Sequence, residues 1–478
     1  MDKQDEKGTD LETTVEHWTH FENPPWKRED RDSVTVLLSV VEPRKSRFVS
    51  AFLERMGIRH IDLGAYDFED ILVGRRHGTP SLCNPVYFIT GKILRTLDRI
   101  RMETGMSHEE IVERYVFVCP SGPCSPCRCG MYTQEYFKAL NDAGYRGFRI
   151  ISFSSDIFDS ESGKDDALQF DFEFRINLLL ALILADALHA RDMETRPFES
   201  VPGSTLAVVE EAERMIHDAL RSPSYYLKLP GTLRRIGRMF DAVPRSARQL
   251  PKIFVSGEFF ANNAHGAPSY DLREFCMKQG CEVNPAFFTL RVYFDSIRRM
   301  DQTSRALKYD KLGSSERRKL RVFLLRQKIA MALTTYLVRK CFRSIGVRTA
   351  YPDIEALFEL GHPYYHRRIF GGEGNLEVAE AIEQSRHCDG FISIKPFGCM
   401  PSSGVSDGIQ PKIQDLHPDL NFLSLETSGD NAANVLNRVS MLVFKAKRQH
   451  RASLGWSPAG VLRDAVDEDR SLEPALAA

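Results

Sequence analysis

Short runs of β-branched and aromatic residues recur along this chain with helix-length stretches between them, and that alternation restricts the fold more than any other feature. The runs are VTVLLSVVE (34–42), IRHIDLG, YVFVC (115–119) and FRIISF, then KIFVSGEFF (252–260), a stretch near CEVNPAFF, DGFISIKP and LNFLSLE. Between them lie amphipathic stretches at 44–56, 90–104, 132–143, 270–279 and about 315–344. Two-residue hairpins join only antiparallel strands, whereas crossovers of a dozen residues or more join parallel ones. The pattern therefore predicts βαβ units and an α/β fold of Rossmann-like parallel-sheet domains.

Boundaries follow from shifts in composition. Residues 1–33 are polar, with Pro24-Pro25 and a charged run, and read as a tail or linker; 34–169 form a first Rossmann-like domain with a cysteine-rich loop. Residues 170–250 are helical, 251–450 form the second Rossmann-like part, and 451–478 are a polar, Ala-rich tail. The most apolar stretch, Ile176 to Leu188, is interrupted by Asp186 and followed by His189 and Arg191, so a buried helix is expected rather than a bilayer span of about 20 residues.

Charge excludes some classes of function. Lys plus Arg number 64 and Asp plus Glu 65, so the chain as a whole offers no electrostatic case for nucleic acid or an anionic membrane, although a local patch stays open. Ten cysteines in 478 residues are too dilute for a disulfide scaffold, and the opening MDKQDEKGTDLETT has no signal-peptide core. A reduced, cytoplasmic chain is expected. Walker-type, H-E-x-x-H and G-x-S-x-G motifs are missing, which leaves nucleotide hydrolysis, zinc peptidase and serine acyl-transfer chemistry without their usual signatures.

Four cysteines fall within eleven residues in CPSGPCSPCRC: Cys119, Cys124, Cys127 and Cys129. The prolines and Gly122 forbid regular structure there, so a loop after YVFV is expected, and loops of this kind turn several thiolates toward one point. Cys399 follows FISI and a Lys-Pro-Phe-Gly break, and Cys83 lies between a Gly/Pro turn and a helical run. Loops after parallel strands share one edge of a sheet, so these distant cysteines are expected to meet. Cys276, Cys281, Cys341 and Cys388 read as small core residues. His362 and His366 read as members of a polar loop, and Gly371 to Asn375 as a turn before a helix.

The segments GPCSPCRCGMYTQEYFKALNDAGY, GEFFANNAHGAPSYDLREFCMKQGCEV and KPFGCMPSSGVSDGIQPKI, with NAANVLNRVSML, resemble the iron-sulfur subunits of the 2-hydroxyacyl-CoA dehydratase and benzoyl-CoA reductase superfamily. The branch they are most similar to is that of acyl-CoA dehydratase activase-related proteins, and the resemblance covers about 34–445. It implies a 4Fe-4S cluster, or a larger one built from cubanes, in a cleft between Rossmann-like domains. By motif position the ligand roles fall on Cys83, Cys127 and Cys399, with Cys124 or Cys129 supplying a fourth.

The resemblance further implies a separate ATP-dependent activase as electron donor, because the chain lacks the activase's glycine-rich phosphate motif, and an acyl-CoA substrate. A homodimer or a second subunit fits the same pattern. Glu258 and the pair Ser402-Ser403 are candidate substrate-side groups or, equally, residues that begin helices. A reading from another class remains open: a non-catalytic interaction or scaffold protein whose cysteine loop holds structural zinc.

Overall fold

In the computed structural model, described over residues 21–24, 32–119, 127–152, 172–369 and 372–454, the apolar runs form two four-stranded sheets in which every pairing is parallel. The first contains β1 (Thr35–Leu38), β2 (His60–Asp62), β3 (Tyr115–Cys119) and β4 (Arg149–Ser152), in the spatial order β2-β1-β3-β4. The second contains β5 (Lys252–Gly257), β6 (Glu282–Val283), β7 (Gly390–Pro396) and β8 (Phe422–Thr427), ordered β6-β5-β7-β8. The expected α/β architecture is thus present, and both sheets follow one plan. Each reverses its order beside its first strand, which places a crevice at the carboxyl ends of β1 and β3 and another at those of β5 and β7.

Burial accounts for the strand sequences. All seven residues of β7 are buried, which explains why GFISIKP reads as a nearly unbroken apolar run rather than an alternation. Val36 pairs with Val116 on one side and His60 on the other, and Val255 pairs with Ile392 in the second sheet.

Helices fill the segment between the sheets: Phe172–Thr195, Ser204–Arg221 and Tyr225–Asp241. The apolar run forms the buried helix expected of it. The helix continues to Thr195, and Asp186 is fully buried as an acceptor for Phe288 N (3.0 Å), Thr289 N (2.8 Å) and Thr289 Oγ1 (2.6 Å). It therefore caps the helix Thr289–Tyr309 from a neighbouring element. No helix among the described residues is long and apolar enough to cross a membrane.

One close crossing positions the first cysteine. The helices Phe68–His77 and Asn84–Thr104 approach through two glycines: a Cβ on Gly91 would lie 1.7 Å from the carbonyl oxygen of Asp70, and one on Gly74 would lie 1.8 Å from that of Tyr87. Only glycine permits this contact. Cys83 is the N-cap of the second helix, and Pro85 sits in its first turn, where the missing N–H costs nothing.

Candidate functional site

The first turn of Asn84–Thr104 is joined to the strand ends of the other sheet. Asn84 N donates to Phe397 O (3.0 Å), just after β7, and Asn84 Nδ2 donates to Thr427 O (2.8 Å), the last residue of β8. Gly398 fits into this junction with φ of 78°. A Cβ there would sit 3.1 Å from Leu82 O, 3.2 Å from Cys83 Cα and 3.4 Å from Arg128 Nη1. Arg128 Nη1 in turn donates to Gly398 O (2.8 Å). The segments carrying Cys83, Cys127 and Cys399 thus meet at one glycine, although 316 positions separate the first from the last.

The side chains differ in setting. Cys83 is buried, its sulfur 2.7 Å from the phenolic oxygen of Tyr132. Cys399 is buried and donates to Ser402 Oγ (3.3 Å). Cys127 and Cys129 are half-buried at the start of the short turn Arg128–Met131. Cys119 is buried at the end of β3, and Cys124 lies outside the described residues.

A network of carboxyl groups backs Cys399. Ser402 Oγ donates to Glu377 Oε1 (2.6 Å), and Ser406 Oγ donates to Glu377 Oε2 (2.5 Å). Residues Ser402–Ser406 form a π-helical turn, a widened coil that brings both hydroxyls to one carboxylate. Glu258 follows β5 and caps the helix Phe259–Asn263 by accepting from Ala261 N (2.9 Å). Glu373 accepts from Phe259 N (3.0 Å) through one oxygen and from Arg291 Nη1 (3.0 Å) through the other. Ser403 is exposed and touches this region only through its backbone, donating to Cys399 O (3.0 Å).

Enclosure sets the protonation states. Burial pushes the Cys83 thiol up to about 11 against the opposing hydrogen bond from Tyr132. Burial raises Cys399 further, reinforced by the nearby Glu258, Glu377 and Glu373, and raises Cys129 although Arg291 opposes it. Glu258 is pushed up by burial and by Glu373, and Glu377 rises to about 7 by burial despite its two serine donors. The cleft therefore holds neutral thiols and at least one neutral carboxyl group near pH 7.

Among the described residues, no group of three or more His, Cys, Asp or Glu side chains closes on a single point at metal-bonding range. A cubane bonds each cysteine to a different iron and so spreads its ligands more widely than a single ion does. Backbones that meet while their sulfurs stay apart are compatible with the larger group.

Of the remaining cysteines, Cys276 and Cys281 pack in the core of the second sheet and Cys341 in the main core. His362 and His366 are exposed in the turn after Ile354–Gly361, their rings 4.5 Å apart. Gly371 lies outside the described residues, and Gly374 begins the helix Gly374–Gln384 that carries Glu377. Sequence reasoning missed Tyr132, Arg291, Glu373 and Glu377. The glycine-rich GGEGN was the signal for the last two, since it announces a helix start close to another backbone: Gly374 would place a Cβ 3.1 Å from Pro401 O.

Comparison with protein-family models gives no match, and comparison with curated proteins gives none either.

Proposed function

We propose that this chain is a cytoplasmic iron-sulfur protein of the 2-hydroxyacyl-CoA dehydratase type that accepts low-potential electrons from a separate ATP-dependent activase. It would use or relay them in dehydration of a 2-hydroxyacyl-CoA or in a related difficult reduction. The observation that carries the reading is the meeting of Cys83, the Cys127 turn and Cys399 around Gly398, at the carboxyl ends of strands from two parallel sheets. Cys83, Cys127 and Cys399 would hold a 4Fe-4S cluster, with Cys129 or Cys124 as the fourth ligand. Cys129 lies in the turn Arg128–Met131, which begins just after Cys127.

When bound, such a cluster supplies one-electron transfer at low potential and the positive charge that releases protons from buried thiols. The chain's own groups do the rest. Tyr132 orients the sulfur of Cys83, and Ser402 orients that of Cys399. Glu377 holds Ser402 in place. Glu258, kept neutral by burial and by Glu373, carries a proton at the mouth of β5 that a substrate carbonyl or leaving hydroxyl can take.

Anaerobic purification followed by iron, acid-labile sulfide and zinc assays tests this. Iron and sulfide in equal amounts are expected, and Cys399→Ala should lower both while leaving circular dichroism unchanged. Zinc without sulfide would establish the structural-zinc scaffold instead, and unchanged iron in the Cys399→Ala protein would remove that residue from the ligand set.

A further inference from the structure

The helix Ser314–Ile345 has two apolar faces, and only one of them is used. Its inner face buries Gln327, Ala330, Thr334, Val338, Cys341 and Ile345. On the other side Val322, Leu325, Ile329, Leu333 and Tyr336 are exposed at 42%, 60%, 55%, 38% and 57%, with Ala332 exposed among them. The positions 322, 325, 329, 332 and 336 follow the alternating three- and four-residue spacing of a helix–helix seam. At 1.5 Å per residue the seam is about 21 Å long, and at 100° per residue it spans about 80° of the helix surface.

Charge surrounds it. The helix carries nine Lys or Arg residues against the single acidic Glu316, in a chain of net charge −1. None of the nine forms an ion pair among the described residues. Arg321 and Lys328 flank the seam on one side and Arg326 on the other, all exposed. Arg318 lies on the seam's own line one turn before Val322, and Lys340 one turn after Tyr336, with its ammonium 5.5 Å above that ring. An apolar centre with a charged rim is the anatomy of a protein interface.

We propose that this face docks an acidic amphipathic helix of a partner protein. A second copy of the chain is disfavoured because cation would face cation along both flanks. A bilayer is disfavoured because it is continuous and would also have to take in Arg318 and Lys340, whereas a partner helix of about four turns ends between them. Ala332 leaves a hole in the seam that a large residue of the partner fills. The inference is independent of the cysteine cleft and of any cluster in it.

The test uses the full chain and a fluorescein-labelled synthetic helix of about two heptads, with Leu on its seam and Glu on both flanks. Fluorescence anisotropy should show saturable binding that weakens with added salt. Leu325→Glu with Ile329→Glu should weaken it at least about tenfold, as loss of central anchors does. Arg326→Glu with Lys328→Glu should also weaken it, through charge alone, and serves if the first variant folds poorly. The proposal is overturned if the peptide does not saturate, if a scrambled peptide of equal charge binds as tightly, or if both double variants bind like the parent. It is equally overturned if phosphatidylserine vesicles bind while the peptide does not, or if light scattering shows a dimer that Leu325→Glu dissolves.

Discussion

The phenolic oxygen of Tyr132 lies 2.7 Å from the sulfur of Cys83, and both groups are buried between the helix that begins at Asn84 and the one that begins at Tyr132 itself. In such surroundings a sulfur with one polar neighbour depends on it. A hydrogen bond to a thiolate favours the more negative, reduced state of any centre the thiolate binds. Tyr132→Phe should cost about 1 kcal/mol of stability without a cluster. With a cluster bound, the same loss corresponds to a potential lower by about 40 mV for a one-electron couple. Redox titration followed by electron paramagnetic resonance measures it, and an unchanged potential would separate Tyr132 from the cluster.

Lys45 is buried with its ammonium 2.7 Å from Glu42 Oε2 and 3.6 Å from Asp186 Oδ1, both also buried. Burial acts to raise both carboxyl groups. Lys45 helps to hold Glu42 below its ordinary value, while Asp186 remains raised. Lys45→Met removes the shared cation and leaves two enclosed carboxylates, which should destabilise the fold by about 3–5 kcal/mol at neutral pH. Urea unfolding should also show the deficit shrinking in mild acid, where the carboxyl groups can take up protons. A loss below about 1 kcal/mol would mean that water or rearrangement replaces the lysine.

The glycine crossing near Cys83 allows a sharper test of geometry. A methyl group on Gly91 would overlap the Asp70 carbonyl, which is backbone and cannot swing aside, so the two helices must separate. Gly91→Ala should cost about 3 kcal/mol, at the upper end for overpacking. If the proposed cluster is bound, its iron should fall as well, because the displaced helix carries Cys83 at its start. A denaturation midpoint equal to the parent's would sink the expectation.

Two enclosed glutamates give stability a pH dependence. Burial raises both Glu377 and Glu380 to about 7 from an ordinary 4.5, opposed by serine donors in each case. From pH 4.5 to 7 the folded chain keeps protons that the unfolded chain has released, so these groups make stability fall as pH rises through that window. Glu380→Gln removes one such proton while retaining an acceptor for Ser256. Its stability relative to the parent should therefore improve steadily from pH 5 to about 8. Parallel curves for the two proteins would show that Glu380 does not titrate there.

The backbone plan was readable because central parallel strands such as β7 are buried on both faces and so apolar, and the eight described strands coincide, within a residue, with the runs picked out by composition. Strand-end loops share an edge, which made the approach of the Cys127 and Cys399 segments readable, whereas Cys83 arrives from a connection between two helices. What packs against the sulfurs was not. Tyr132 is 49 positions from Cys83, and nothing in GMYTQEY distinguishes a tyrosine that reaches a thiol from one that fills a core. Arg291 sits in an amphipathic helix among other arginines, and its pairing with Glu373 depends on how the middle helices lie against the second sheet. Asp186 is a related case. A charge inside an apolar run can be buried where another element supplies donors, and its donors at Phe288 and Thr289 are 102 and 103 residues away.

The groups of the cleft come from both halves of the chain. The half built on β1–β4 brings Cys83, Cys127 and Cys129, while the half built on β5–β8 brings Cys399, Glu258, Glu373 and Glu377. Neither half alone contains the full set of groups, and Gly398 is one of the points at which they touch. The two halves share one continuous apolar cluster, in which the ring of Phe260 lies 5.3 Å from that of Tyr66 and 6.2 Å from that of Phe88. The packing that joins the two sheets is therefore also what keeps thiols and carboxyl groups side by side.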